Sequence, residues 1–216
     1  EGRLIVGAGI APDTPAVRHE FTAAGVPFEG RVGRYMEGIR LCRALWSGEP
    51  VTWEGRWSVT AGTLAPVPYR KSGPPIWSAA TVSAGIERTA KHHDGWFPIG
   101  PDAGTFAQRN KEFREAATAA GRNLDDLTTA IYLTVSIMDD SADAEAAIDT
   151  YLEDYYSAPA AALRKFQACK GGTEDQVVDF IRAFVEGGAQ HLVIRCVGDH
   201  RSIQQILARR RDDLSV

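Results

Sequence analysis

The sequence has little cysteine and no excess of positive charge. Its three cysteines, Cys42, Cys169 and Cys196, form no C-x-x-C pair and have no histidine nearby at ligand spacing. A scattered, odd set of this kind predicts neither a disulfide framework nor a zinc site, so we expect no metal. The formal net charge of -4 argues against a nucleic-acid partner, because no face is expected to carry a dominant stripe of lysine and arginine.

Long apolar runs are also absent from the sequence. No stretch approaches the about 20 apolar residues that a membrane span needs, and the chain does not open with a charged and then apolar leader. We therefore expect a cytoplasmic protein without a membrane partner. The chain opens at Glu1 without a methionine and enters a strand-like run at once, so we expect that an upstream segment is missing.

Short apolar runs alternate with helical patterns along the chain. Core strands are predicted at Leu4–Gly7, Ile76–Ala79, Trp96–Ile99, Thr129–Met138 and Leu192–Cys196. Strand and helix in regular alternation predict an α/β fold with a parallel sheet and helical crossovers. A (β/α)8 TIM barrel needs eight strands and about 250 residues, so a barrel would lack its first three β/α units.

Helices and one hairpin are predicted between these strands. The helical stretches are Arg31–Trp46, Ser83–His92, Thr105–Ala120, Asp143–Tyr156, Ala160–Ala168, one that follows Thr173, and a closing helix capped at Ser202. Thr173 and Gln176 have the spacing of a capping box. Residues 51–60 alternate apolar and polar side chains around Gly55, which predicts a β-hairpin inserted over the barrel.

Several short motifs follow one another in a distinctive order. They are Arg3-Leu4-Ile5-Val6-Gly7-Ala8-Gly9, Glu20-Phe21, Arg34-Tyr35-Met36-Glu37, Leu45-Trp46, Glu54-Gly55-Arg56-Trp57, Pro74-Pro75-Ile76, Asp94-Gly95-Trp96-Phe97 and Gly188-Ala189-Gln190-His191-Leu192. Their order and spacing resemble the luciferase-like monooxygenases and their deazaflavin-dependent relatives. The resemblance covers nearly the whole chain. It implies a bacterial-luciferase-like barrel, of which residues 1–216 supply the fourth to eighth β/α units as a single domain.

The resemblance also implies a cofactor and a class of reaction. Such an enzyme uses reduced FMN to insert oxygen into a small organic substrate, or it uses the deazaflavin coenzyme F420 for hydride transfer. The sequence does not decide between the two. In either case the cofactor carries the reactive chemistry while the protein binds, orients and excludes water, and catalytic residues stay unknown. Relatives of such barrels often pair, so a homodimer is a further expectation.

Barrel active sites lie at the carboxyl ends of the strands, and one turn there is the strongest candidate. It comprises Ser78, Ala79, Ala80, Thr81 and Ser83. Small residues before a helix N-terminus let a phosphate approach unpaired N–H groups at the positive end of the helix dipole. The resemblance implies that this turn binds the cofactor's phosphate-bearing tail. The alternative is that Ser83 is only an N-cap and the alanines only a packing requirement.

Three further positions are candidates for the cofactor site. Gly7-Ala8-Gly9 follows the first strand, where glycine permits positive φ and close approach of a flat ring; the alternative is a structural turn. Trp96 could stack near the cofactor, although core packing is favoured. Arg195 is charged among apolar residues, so it contacts a phosphate or carboxylate or forms a structural ion pair.

The histidines are weaker candidates for the site, and two other classes of function are alternatives to the enzyme. His92 and His93 end a helix on the strand's amino-terminal side, where a structural role is favoured, and His19 is more typical of a solvated residue. A flavin-binding or structural barrel without turnover is one alternative function. An unrelated phosphate-binding isomerase or aldolase would need a lysine or glutamate at a strand end, which the predicted strand ends do not offer.

Overall fold

The computed structural model describes residues 1–214. These residues fall into two compact units, Glu1–Trp77 and a second unit that begins at Ser78. No helix in the described range is long and apolar enough to cross a membrane. The single domain over residues 1–216 stays a prediction.

The first unit contains short strands, two helices and a hairpin. Its elements are β1 (Val6–Ala8), α1 (Pro15–Ala23), α2 (Arg31–Leu45), β2 (Val51–Glu54), β3 (Ser58–Gly62) and the start of β4 (Ile76–Ser78). β1 lies beside the entry to β4, because the Val6 N–H donates to the Pro75 carbonyl at 2.9 Å. Thr14 caps α1 by accepting from the Val17 N–H at 3.3 Å.

The first predicted strand is shorter and less buried than its sequence indicates. Residues Leu4–Gly7 were expected as a buried strand, but β1 is Val6–Ala8 and only half-buried. Leu4 is 67% exposed and Ile5 is 38% exposed. Apolar composition favours burial, but burial itself needs neighbours on both faces of the strand, and Leu4 has little such cover within residues 1–214.

The antiparallel pair β2 and β3 forms a hairpin tied to α2. Trp53 lies opposite Val59 in its register. The buried Glu37 carboxylate of α2 accepts from the Arg56 N–H at 2.6 Å and from the Arg56 guanidinium at 2.5 Å. A Cβ at Gly55 would overlap the same carboxylate, so a larger residue there would have to displace the Glu37 side chain. That the hairpin is an insertion over a barrel stays a prediction.

The second unit alternates strands and helices. Its elements are α3 (Ser83–His92), β5 (Gly95–Trp96), α4 (Ala103–Ala119), β6 (Thr128–Ile137), α5 (Ser141–Tyr156), α6 (Ala160–Leu163), β7 (Ala168–Gly172), α7 (Glu174–Glu186), β8 (His191–Cys196) and α8 (His200–Arg209), with 3-10 turns at Leu124–Asp126 and Arg211–Leu214. The predicted capping box at Thr173 is present, with the Thr173 N–H donating to Gln176 Oε1 at 3.0 Å.

β6 is the central strand of this unit. It pairs in parallel with β5, with β7 and with β8. Parallel strands joined by helices place all carboxyl ends at one edge of the sheet. The predicted α/β class and parallel sheet are therefore confirmed.

Two predicted helix boundaries in this unit are wrong. The helix expected over Ala160–Ala168 ends at Leu163, and Ala168–Gly172 forms β7 instead. The segment ACKGG has weak intrinsic strand propensity, and it becomes a strand because it pairs with Leu133–Ile137 of β6. The closing helix begins at His200, and its cap is Asp199 rather than Ser202, because the Asp199 carboxylate accepts two N–H groups of the first turn.

The two faces of β6 have different characters. The apolar face, which belongs to the main core, is formed by Ile131, Leu133 and Val135. Because successive strand side chains point to opposite faces, the alternate residues form a second face, which we name the hydroxyl face: Tyr132, Thr134 and Ser136. Thr134 and Ser136 are buried, at 1% and 0% exposure. The hydroxyl face is therefore polar although most of it is buried.

Candidate active site

The turn between β4 and α3 is open to solvent and built from small residues. Ser78 and Ala80 are buried, whereas Ala79, Thr81 and Ser83 are exposed. The Ser78 carbonyl accepts from the Phe97 N–H at 3.0 Å, which ties the end of β4 to the residue after β5. The turn therefore lies at the carboxyl ends of neighbouring parallel strands, where the sequence placed it.

The N-terminus of α3 lacks a side-chain cap. Its N-cap residue is Val82, 65% exposed, which makes no side-chain cap bond. In the described part of this unit, the other four helices of ten or more residues are all capped, by Asp102, Asp140, Thr173 and Asp199. An uncapped start leaves first-turn N–H groups and the positive end of the helix dipole available to solvent or to an anion.

Ser83 does not act as the N-cap that the sequence suggested. It is the first residue of α3, and its hydroxyl accepts from Arg109 Nη1 at 3.2 Å. Arg109 also pairs with Glu112 at 2.7 Å. Hydrogen bonding from the Ser83 hydroxyl and then from Arg109 lowers the pKa of Glu112. The Ser83 hydroxyl is thus engaged by α4, and the turn's anion-binding capacity rests mainly on its backbone.

Arg109 is a residue that the sequence interpretation missed. It lies in the middle of α4, 26 residues after Ser83, and its side chain is 37% exposed beside the uncapped start of α3. No local pattern indicates this position, because the neighbourhood arises from the packing of α3 against α4. A guanidinium beside a helix N-terminus adds a second reason for an anion to bind there.

Trp96 lies in the core at 1% exposure. Its ring stacks on Phe106 and Phe113 with centroid distances of 5.3 and 6.0 Å. Its Nε1 donates to the Ala80 carbonyl at 2.7 Å. This geometry supports the core-packing hypothesis, with Trp96 holding the turn in place from behind.

Gly7, Ala8 and Gly9 belong to the first unit and end its first strand. Neither Gly7 nor Gly9 has a φ in the left-handed region, so the expected reason for glycine is wrong. No atom of the described residues lies within 4 Å of a Cβ built at either position. Each position therefore has room for at least a methyl group, and contact with a cofactor stays a prediction.

Arg195 lies on β8 beside a group of tyrosines. Its Nε donates to the Tyr132 hydroxyl at 3.2 Å. Its guanidinium carbon is 5.9 Å from the ring centroids of both Tyr151 and Tyr155. No ion pair of Arg195 occurs among residues 1–214, so the structural ion pair considered for it is not observed there.

Apolar and hydroxyl side chains alternate along β6, and the sequence analysis did not use this pattern. The segment from Ile131 to Ile137 reads apolar, hydroxyl, apolar, hydroxyl throughout. A strand with a period of two has two different faces, whereas a strand buried between apolar layers is apolar on both. That pattern indicates that Tyr132, Thr134 and Ser136 lie on one polar face of the strand.

The histidine candidates are His19, His92 and His93. His19 is exposed on α1, while His92 and His93 are the last residue and the C-cap of α3, at the end opposite its uncapped start. Within residues 1–214, no group of three or more histidine, cysteine, aspartate or glutamate side chains could hold a metal ion.

A model of the luciferase-like monooxygenase family matches residues 1–191. The chain belongs to this family. The match confirms the resemblance drawn from the ordered motifs.

Curated relatives of this luciferase-like chain are oxidoreductases by name. The F420-dependent glucose-6-phosphate dehydrogenase of Rhodococcus erythropolis is 26% identical over 233 residues, which cover 96% of this chain and 68% of that protein. The chain thus spans about two thirds of the length of the curated relatives it matches. These names place the chain in a family of enzymes.

Solved structures of the luciferase-like fold superpose on the whole chain. An F420-dependent secondary alcohol dehydrogenase in complex with an F420-acetone adduct has a TM-score of 0.81 at 17% identity, covering 100% of this chain and 71% of that one. The oxygenating constituent of 3,6-diketocamphane monooxygenase from Pseudomonas putida, in complex with FMN, has a TM-score of 0.71 at 17% identity, with coverage of 100% and 72%. These likenesses show the fold, which is the α/β fold of luciferase-like TIM barrels.

Proposed function

We propose that this chain forms part of an oxidoreductase that binds FMN or coenzyme F420 through the turn of residues 78–83 and acts on a small organic substrate. The uncapped N-terminus of α3 carries this proposal. Both coenzymes bear a phosphate on a tail, and an exposed turn of small residues before an uncapped helix is suited to a phosphate. We infer that the backbone of Ala80 and Thr81, with the Thr81 hydroxyl, completes the phosphate site.

The residues of this chain bind and orient the coenzyme rather than perform the redox step. When bound, the coenzyme supplies hydride transfer or oxygen activation. The α3 N-terminus holds the phosphate, Arg109 adds positive charge, and Trp96 fixes the Ala80 carbonyl so that the turn keeps its shape. Arg109 can exchange its bond to Ser83 for one to the phosphate while it keeps Glu112.

Different relatives and solved structures favour each of the two coenzymes. The names of the Rhodococcus relative and of the alcohol dehydrogenase favour F420 and hydride transfer, and the camphane enzyme favours FMN and oxygen insertion. A homodimer and the arrangement as the fourth to eighth units of an eight-stranded barrel belong to the same proposal.

A charge placed in the first turn of α3 tests the phosphate site. In the variant Ala84→Glu, a carboxylate at the second helical position repels the phosphate but suits the helix dipole, so the fold is retained. Ala142→Glu is the matched control, because Ala142 is the exposed second residue of α5. FMN and F420, oxidised and reduced, are titrated by fluorescence against both variants and the unmodified chain.

We expect one coenzyme to bind the unmodified chain and the control alike, and to bind Ala84→Glu at least about tenfold more weakly, as the loss of a charge-assisted site predicts. The coenzyme that binds selects the chemistry. Equal binding by all three proteins would mean that the turn is only structural. Binding of neither coenzyme would favour the barrel without turnover.

A further inference from the structure

Arg195 differs from other partly buried arginines of the second unit in its partners. Arg164 and Arg210 each hold two or more carboxylates. For Arg195, the Tyr132 hydroxyl is the one hydrogen-bond partner that residues 1–214 provide. A partly buried cation without a counter-ion is costly, and such a group is expected where a ligand brings the opposite charge.

The positions of β6 and β8 aim Arg195 and the hydroxyl face at the same space. Arg195 lies in register with Thr134, and Tyr132 is two residues earlier on the same face of β6. Because Tyr132 engages the Nε of Arg195, the remaining N–H groups of the guanidinium form the edge that binds carboxylates in bidentate fashion. Tyr151 and Tyr155 of α5 cover this guanidinium from the side.

Two tyrosine hydroxyls can act as donors at this edge. The Tyr132 oxygen accepts from Arg195, so its own proton is available to a ligand. The Tyr151 hydroxyl is buried and has no hydrogen-bond partner among the described residues. Burial raises the pKa of Tyr151, so this hydroxyl stays protonated and can donate. A buried donor without a partner is a second indication that a ligand binds here.

We propose that Arg195, Tyr132 and Tyr151 bind the carboxylate of a small organic acid. Only the further statement that this acid is the substrate rests on the proposed function. Nearby on β7, Lys170 is held by Glu145 at 3.1 Å, and Arg164 by Glu145 and Asp149. Of these three cations, Arg195 alone has no carboxylate partner within residues 1–214. A single guanidinium matches a monoanion better than a doubly charged phosphate.

The carboxylate site is separate from the turn that is proposed to hold the coenzyme tail. β4, β5, β6 and β8 are neighbours in that order in the second unit. Ser78 and Arg195 thus lie on strands that are separated by two others. This separation favours two ligands, a coenzyme and an acid, over two groups of one small molecule.

A titration with sodium benzoate tests the proposal without any coenzyme. Isothermal titration calorimetry compares benzoate with the uncharged benzamide on the full chain and on Arg195→Gln and Tyr151→Phe. Lys111→Gln is the control, because it removes the same charge from a side chain that is 78% exposed on α4. We expect benzoate to bind about tenfold more weakly to Arg195→Gln, several-fold more weakly to Tyr151→Phe, and unchanged to the control. Benzamide is expected to bind at least about tenfold more weakly than benzoate.

Two other results would overturn the proposal. The carboxylate site would be refuted if the unmodified chain does not bind benzoate. It would also be refuted if Arg195→Gln and Tyr151→Phe bind benzoate as tightly as the unmodified chain. If Arg195→Gln does not fold, Tyr151→Phe, which keeps the aromatic ring, is the deciding variant. A tenfold loss of FMN or F420 affinity in Arg195→Gln would assign the edge to the coenzyme instead of a substrate. Failure of the chain to bind either coenzyme would leave the benzoate result standing, so the two proposals fail separately.

Discussion

The Glu37 carboxylate accepts both the backbone N–H and the guanidinium of Arg56, at 2.6 and 2.5 Å. One side chain of α2 thereby holds both the turn of the hairpin and the Arg56 side chain. The hairpin begins at Val51, 14 residues after Glu37. The Arg56 guanidinium and N–H hold the pKa of Glu37 below its ordinary value. The hairpin's attachment to α2 therefore depends on an ionised glutamate.

The variant Glu37→Gln should lower the Tm by roughly 2–4 °C, because the amide replaces a charged acceptor in a half-exposed ion pair. Thermal unfolding followed by circular dichroism measures this change. Glu54→Gln is the control, since Glu54 lies on the same hairpin and is exposed. An equal effect of both substitutions would contradict a specific role for Glu37.

The same contact predicts a pH dependence. A carboxyl group whose folded pKa is lowered contributes stability above its unfolded pKa, about 4.3 for glutamate, and loses it as pH falls through the folded value. The Tm difference between the unmodified chain and Glu37→Gln should therefore be constant at neutral pH and shrink below about pH 4. A difference that persists in acid would show that packing, not charge, is responsible.

Trp96→Phe should lower the free energy of unfolding by about 1–3 kcal/mol, because it removes the bond to the Ala80 carbonyl and part of a stacked core. Urea unfolding measures this loss. Trp57→Phe is the control, with a ring that is 38% exposed on the hairpin. Unchanged stability of Trp96→Phe would show that the core interpretation is wrong.

Gly171→Ala should destabilise the second unit by about 1–3 kcal/mol, because a Cβ there would collide with the backbone of Ala144 and Glu145 at the start of α5. Gly9→Ala provides the comparison, since its Cβ would meet nothing within 4 Å. Chemical denaturation of both variants is the measurement. Equal stability of the two would show that α5 can shift away from β7 at no cost.

The three thiols should react at different rates. Cys42 is exposed, whereas burial raises the pKa of Cys169 and of Cys196 and keeps both thiols protonated. Thiolate is the reactive form, so a disulfide reagent at neutral pH should label one thiol quickly and the other two slowly. Cys42→Ser should remove the fast phase. A fast phase that survives in that variant would show that Cys169 or Cys196 is accessible to the reagent.

The class of fold, the family and the turn at residues 78–83 could all be predicted from the order of the residues. Alternation of strand and helix implies parallel strands, and small residues before a helix mark a place where backbone can meet an anion. These are local properties, so they can be predicted from local patterns. The capping box at Thr173 was predictable for the same reason.

Which side chains share a site depends on how distant segments pack, and this could not be predicted. β7 exists because ACKGG pairs with β6, and no propensity of those five residues foretells the partner. Arg109 reaches Ser83 through the packing of α3 on α4, and Arg195 meets Tyr132 and Tyr151 across two strands and a helix. Leu4 remains exposed despite its composition. Contacts between distant segments depend on strand register and helix packing, and these cannot be read from local sequence patterns.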